Sequence, residues 1–216
     1  LIIDVENRES DFTIKNLQKA DVAIEFTQPS AAYKNIEWCL QNNVPIVVGT
    51  TGWYQNFDQM VKTCESNKGA VFYATNFSVG VNIVFHLNEI LASVMQNTQD
   101  YKAHINEIHH IHKKDSPSGT AITLAQGLIN NHNAYQGWKE DEIENVDKNT
   151  LPIIAYREHE VPGTHEVIYD SEIDKITLKH EAKSRKGFAL GSVLAAEFLA
   201  NKQGVYNMKD LLKFKS

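Results

Sequence analysis

The chain has 216 residues, 42% of them hydrophobic, enough to bury one or two modest cores without disulfide or metal staples. Its formal charge of −6 and isoelectric point near 5.8 disfavour nucleic acid or an acidic membrane surface as the main partner, because phosphate binding needs a basic surface. No apolar run approaches the roughly 20 residues of a membrane span, no charged-then-apolar leader opens the chain, and Cys39 and Cys64 lack metal or redox spacing, so two reduced thiols and a cytoplasmic location are expected.

The opening LIIDVENRES reads as a buried strand ending at Asp4 or Glu6, and a first residue already inside a core strand implies a missing upstream segment. After a polar link, Ala20–Phe26 and Pro45–Gly49 are short β-rich runs ending in turn residues, as parallel strands do. Between them, Ser30–Asn42 sets Ala32, Ile36, Cys39 and Leu40 on one helical face, with Ser30 after Pro29 as the expected N-cap. Asp58–Asn67 repeats the helical pattern and Ala70–Ala74 the strand, an order that predicts a Rossmann-like doubly wound parallel sheet. Asn82–Gln96 predicts an apolar helix, Tyr101–His109 a strand and Thr120–Asn130 another helix. Asn131–Asn149 has no periodicity and reads as a surface excursion. Ile153–Arg157, His165–Tyr169 and Lys175–His180 alternate apolar and polar residues, the pattern of a mixed sheet with one covered face, and Phe188–Leu199 closes as a buried helix. The fold class is α/β, with an α+β mixed-sheet domain beside the parallel one.

Two polar loops, Gly49-Thr50-Thr51-Gly52 and Thr75-Asn76-Phe77-Ser78, follow neighbouring strands at their carboxyl ends, where α/β sheets bind ligands. Ordinary strand-to-helix turns would have the same composition. Asp4 and Glu6 stand where a dinucleotide fold places the acid that grips the adenosine ribose, while the glycine-rich turn of such a fold is absent from the sequence. The block EIHHIHKKDSPSGTA, residues 107–121, gathers His109, His110, His112, Lys113 and Lys114 at a strand end and runs into a helix start at Ser118-Gly119-Thr120. Helix-start amides beside these cations suit a small, multiply anionic substrate, and a histidine titrating near neutrality can deliver a proton. A solvated basic loop is the competing reading. No metal is expected, because neighbouring histidines on a strand point to opposite faces and no further acid completes a ligand set. Arg157, followed by VPGTH, could aim one more cation and a turn at the same anion; the preferred reading is structural, a turn feeding the strand His165–Tyr169.

At these residues the sequence resembles the dihydrodipicolinate reductase family of lysine and diaminopimelate synthesis. EIHHIHKKDSPSGTA is similar to its E-x-H-H-x-x-K-x-D-x-P-S-G-T signature, and VGTTG, ATNFSVGVN and SRKGFALGSVLAAEFL…GVYNMKDLL to further blocks. The resemblance implies reduction of a cyclic imine dicarboxylate by NADH or NADPH. It implies His109 as proton donor, Lys113 as second catalytic cation, and His110, Gly119 and Thr120, with the helix start at Ser118, as substrate ligands. Gly49, Thr50, Thr51 and the run Ala74, Thr75, Asn76, Phe77 would contact the nicotinamide half, and Glu6 the adenine ribose. It implies a homotetramer, a dinucleotide-binding domain over residues 1–78 and 186–216, and a substrate-binding and tetramerisation domain over 79–185. The family's amino-terminal strand, glycine-rich loop and following helix have no counterpart in the sequence, which puts cofactor affinity in question. Asn7 stands where some members carry an arginine for a 2′-phosphate, which leans the cofactor toward NADH, with Arg8 as a potential substitute. The alternative is a non-catalytic dicarboxylate- or nucleotide-sensing relative.

Overall fold

The computed structural model describes residues 1–4, 6–98 and 100–214. Its elements run, in chain order, α1 (Arg8–Asp11), α2 (Ile14–Leu17), β1 (Ala23–Glu25), α3 (Pro29–Gln41), β2 (Ile46–Val48), α4 (Phe57–Ser66), β3 (Ala70–Tyr73), α5 (Val79–Met95) and β4 (Lys102–His109). They continue with α6 (Gly119–Asn131), β5 (Gly137–Glu140), β6 (Thr150–Arg157), β7 (Thr164–Asp170), β8 (Lys175–Glu181), α7 (Lys186–Leu199), β9 (Gly204–Tyr206) and α8 (Met208–Leu212). They form two compact units, Leu1–Phe77 with Phe188–Ser216, and Ser78–Gly187. Among the described residues no helix is long and apolar enough to cross a membrane.

The first unit holds a parallel sheet of order β1-β2-β3-β9. The inner strands β2 and β3 are apolar without interruption because both their faces are covered, while the edge strand β1 leaves Ile24 exposed and ends in buried Glu25; successive side chains take opposite faces. Ile46, Val48 and Val71 pack with Ala32, Ile36 and Leu40 of α3 and with Met60 of α4. Val47, Ala70 and Phe72 pack on the other side with Ala195 and Leu199 of α7 and Met208 of α8. This is the doubly wound arrangement expected. β9 and α8 were not foreseen, since three residues and five are too short to show a period.

Two expectations fail here. Leu1 and Ile2 are each 81% exposed and Leu1–Asp4 forms no strand, while Val5 lies outside the described residues. The local reason is Asn7, whose amide Nδ2 donates to Ile2 O and whose Oδ1 accepts Asp4 N–H, so a side chain satisfies backbone groups that a ladder would otherwise take. The N-cap of α3 is Gln28 rather than Ser30, because Pro29 occupies the first helical position, where its fixed φ fits and its missing N–H costs nothing. The expected domain's last residues, Lys215 and Ser216, also lie outside the described residues.

The second unit holds a mixed sheet of order β5-β6-β4-β7-β8, in which β4 pairs parallel with β6 and antiparallel with β7. Ala103 and Ile105 of β4, Leu151 and Ile153 of β6, and Val167 and Tyr169 of β7 face Val84, Ala92, Leu124 and Leu128 of α5 and α6. Asn88 of α5 is fully buried and its Nδ2 donates to Leu124 O at 2.9 Å, joining the two helices. Asn131–Asn149 is corrected: it contains β5, paired parallel with β6, and a 3-10 turn at Ile143–Asn145. Four residues gave no period to read, and Trp138 packs against the core only once β6 is beside it.

Candidate active site

The alternation that buries Ala103 and Ile105 continues to the end of β4 and puts Glu107 and His109 on the same face. Glu107 is fully buried. Its Oε1 accepts from Arg157 Nη1 and Nη2, each at 3.2 Å, and its Oε2 accepts the Ser118 N–H at 3.0 Å. The same Oε2 lies 3.5 Å from His109 Nδ1 and 3.8 Å from His165 Nε2. One carboxylate thus ties the end of β4 to β6, to β7 and to the start of α6. Sheet register explains the convergence, since His109 is opposite Arg157 and Glu107 is opposite His165.

Ser118 caps α6, its Oγ accepting the Ala121 N–H at 3.2 Å while lying 3.0 Å from His165 Nε2. Replacing Ser118 by Ala removes both contacts. The loss expected from the cap alone is about 1 kcal/mol, read as a fall of roughly 2–4 °C in melting temperature. An unchanged melting curve would contradict the capping role.

Burial is the largest influence on His109 and holds its imidazolium below the ordinary range; Glu107 and Asp115 oppose this, while Lys113 and Arg157 reinforce it. His165 is pushed down to about 3, first by burial and then by His109, His180 and Lys113. The two rings meet edge to face, with centroids 5.0 Å apart.

Lys113 Nζ reaches both Asp115 carboxylate oxygens at 2.7 Å, which pins the loop between β4 and α6. Arg157 Nη2 donates to Asp115 O at 2.9 Å and to Ser116 Oγ at 3.0 Å, so Arg157 is a clasp on that loop as well as the partner of Glu107. His110 Nε2 lies 3.0 Å from Arg185 Nη2, and His112 is exposed. Gly119 opens on free space, with nothing within 4 Å of where a Cβ would stand, and Thr120 follows it half-buried. The structure therefore gathers His109, Lys113, Ser118, Gly119 and Thr120 around the end of β4 and the start of α6.

Sequence reasoning assigned no role to Glu107, Asp115, His165 or Arg185. Glu107 had a readable signal, because it heads the histidine block and shares a strand face with His109. His165 had none, since a register across two strands brings it in. The expectation that no acid completes a ligand set is corrected: atoms of Glu107, His109 and His165 lie within 4.8 Å of one another. The donor set nonetheless suits an anion's neighbourhood better than a cation. Arg157 and Ser118 N–H already occupy the carboxylate, and Lys113 and Arg157 lower the proton affinity of His109.

The first unit presents its own polar edge at the carboxyl ends of β1–β3. Glu25 is buried, with Oε1 accepting from Thr27 and Oε2 buried without a partner. Thr50 Oγ1 accepts the Thr27 N–H at 2.7 Å and Thr50 O accepts the Trp53 Nε1–H at 2.8 Å, so Thr50 shapes the loop while Thr51 and Thr75 are exposed. A side chain at Gly49 would collide with the Phe26 ring, 2.0 Å from the position of its Cβ. Ala74 and Phe77 belong to the core, leaving chiefly their backbone to a ligand. Glu6 is exposed, and its N–H donates to Asp4 Oδ1 at 2.9 Å. Glu25 Oε2, a buried acceptor without a partner, fits the amide and hydroxyl donors of a nicotinamide nucleoside.

Comparison with known proteins adds an independent finding. The family model described as "Dihydrodipicolinate reductase, N-terminus" matches residues 4–77, and "Dihydrodipicolinate reductase, C-terminus" matches residues 80–212. The chain is 50% identical to a 4-hydroxy-tetrahydrodipicolinate reductase of Christiangramia forsetii, over 97% of this chain and 84% of that protein. It is 38% identical to a protein of the same name from Saccharophagus degradans, over 90% of this chain and 74% of that one. Among solved structures it resembles a dipicolinate-bound dihydrodipicolinate reductase from Paenisporosarcina sp. TG-14, with a TM-score of 0.72 and 25% identity over 89% of this chain and 73% of that one.

Proposed function

The chain belongs to the dihydrodipicolinate reductase family, and we propose that it reduces 4-hydroxy-tetrahydrodipicolinate to tetrahydrodipicolinate with NADH or NADPH. The observation that carries this reading is the seating of His109 at the end of β4, backed by buried Glu107 and facing the loop that leads into α6. The relatives named above are all reductases, which favours catalysis over a sensing role.

Loss of water from the hydroxylated ring leaves a conjugated imine. A nicotinamide cofactor, when bound, supplies the hydride; Gly49, Thr50, Thr51 and Ala74–Phe77 would hold its nicotinamide half and Glu6 its adenine ribose. The ring that receives a hydride becomes electron-rich and needs one proton, which His109 delivers. Two substrate carboxylates arriving beside the imidazole favour its charged form and offset the burial that holds it down. His110, the α6 amides at Gly119 and Thr120 and the Ser118 cap hold a carboxylate, and Lys113, aimed by Asp115, supplies the second cation.

The lean toward NADH draws support from Arg8, whose guanidinium lies 4.2 Å from the Phe12 ring centre and donates to Asn35 Oδ1, so it is engaged within its own unit. Tyr156, 42% exposed on the sheet face away from α5 and α6, supports association through the mixed sheet into a homotetramer. A cytoplasmic location follows from the biosynthetic role.

The test is substrate-dependent oxidation of NADH and of NADPH, followed by absorbance. No oxidation of either with the dicarboxylate present would end the reductase reading, and a strong preference for NADPH would end the lean toward NADH. In the active protein, Thr120→Val raises KM for the dicarboxylate about tenfold, the worth of one charge-assisted hydrogen bond, with kcat within a few-fold. A fall confined to kcat would move Thr120 out of substrate binding.

A further inference from the structure

We infer that Glu107 is a positioning residue for proton delivery: its carboxylate keeps neutral His109 protonated on Nδ1, so that Nε2, beside Gly163, is the nitrogen that exchanges a proton with substrate. The inference rests, for its kinetic arm only, on the reductase reading of His109.

The geometry is one-sided. His109 Nδ1 is enclosed and has no hydrogen-bond partner, while Glu107 Oε2 stands 3.5 Å away, an ion-pair distance rather than a hydrogen bond. A carboxylate repels a ring nitrogen's lone pair and attracts a proton, so the neutral imidazole carries its hydrogen on the side facing Glu107. Glu107 cannot swing away from this task, because Arg157 holds one oxygen and the Ser118 N–H the other. The opposite nitrogen meets a different wall. A Cβ on Gly163 would come within 3.0 Å of His109 Nε2, and Gly163 has φ +152°, a conformation that side chains rarely adopt. Glycine there leaves Nε2 a gap.

Charged and titratable groups reach His109 from every side. Glu107 lies on its own strand, Arg157 on β6, His165 on β7, and Lys113 and Asp115 on the loop before α6. Of these, Glu107 is the fully buried carboxylate, with its charge least screened by water, and it favours the imidazolium against burial, Lys113 and Arg157. Once Nε2 takes its proton, the ring's positive charge sits against Glu107, and Nε2 can pass that proton on. The pair thereby acts as an orienting carboxylate and a histidine, as in the logic of hydrolase triads.

Two measurements test the inference. Two-bond 1H–15N correlation spectra of the 15N-histidine-labelled protein, with His109 assigned through His109→Gln, report the tautomer without substrate or cofactor. Hydrogen on Nδ1 in the neutral ring is the expected result, and hydrogen on Nε2 overturns the inference. The second measurement is the pH profile of Glu107→Gln. The protonated donor is lost as pH rises through its pKa, and the carboxylate raises that pKa, so the variant's rate falls off at lower pH than wild type. Its kcat also drops on the order of 10²-fold, with KM within about threefold, and Glu107→Asp, which keeps the charge, recovers part of both. A lower kcat with an unmoved basic limb would mark Glu107 as merely structural and overturn the inference. If Glu107→Gln does not fold, or if the chain shows no reductase activity at all, the wild-type tautomer alone decides.

Discussion

Replacing His109 by Gln lowers kcat by about 10²- to 10⁴-fold, the range for loss of a general acid, while KM for the dicarboxylate moves by less than about threefold. Gln is close to the imidazole in size and keeps a polar end, so the Glu107–Arg157–Ser118 lattice behind it has no cause to collapse. What disappears is a group that can hold and release a proton. In the proposed site the carboxylates are held mainly by Ser118, Gly119 and Thr120, so the charge lost with His109 costs binding little. Steady-state kinetics on the variant, with circular dichroism to show that it folds, gives the answer. Turnover equal to wild type removes the proton-donor role, and a loss confined to KM makes His109 a binding residue instead.

The second large effect is on stability in acid. His165 is pushed from 6.5 to about 3, so between those values the unfolded chain takes up a proton that the folded chain refuses. Stability from this group is full above about pH 6.5 and drains away as pH falls toward 3. At about 1.4 kcal/mol per tenfold change in proton affinity, the loss is roughly 5 kcal/mol, a large part of a typical domain's stability. His109, His180 and His104 are lowered as well, with burial the largest cause for each, and they act in the same direction. Urea midpoints measured from pH 7 down to 4 should fall steeply for wild type. His165→Gln, whose amide reaches the position of the Nε2 that meets Ser118 Oγ but has no proton to gain, should show a shallower slope. Parallel slopes for the two proteins would show that His165 is not the group that titrates.

Much of the architecture was readable because local patterns carry it. The uninterrupted apolar runs around Ile46–Val48 and Ala70–Ala74 required a sheet covered on both faces, and alternation in Thr164–Asp170 and its neighbours required a second sheet of a different kind. Failures cluster where the local signal is short or outvoted. Leu1–Asp4 looked like a core strand by composition, yet an asparagine side chain three residues on satisfied its backbone. β5 and β9 are too brief to announce themselves, and their partners define them.

The candidate site divides along the same line. The chain order alone determined that three histidines and two lysines crowd a strand end just ahead of a helix start, because neighbours in sequence must be neighbours in space. It also determined that Glu107 and His109 share a face, by the period of two. Only the tertiary structure decided that the carboxylate facing His109 is clamped by Arg157, fifty residues away, and that His165, from β7, completes the wall. Those contacts depend on which strands pair and in what register. That choice is made by packing the whole mixed sheet against α5 and α6, and no local pattern encodes it.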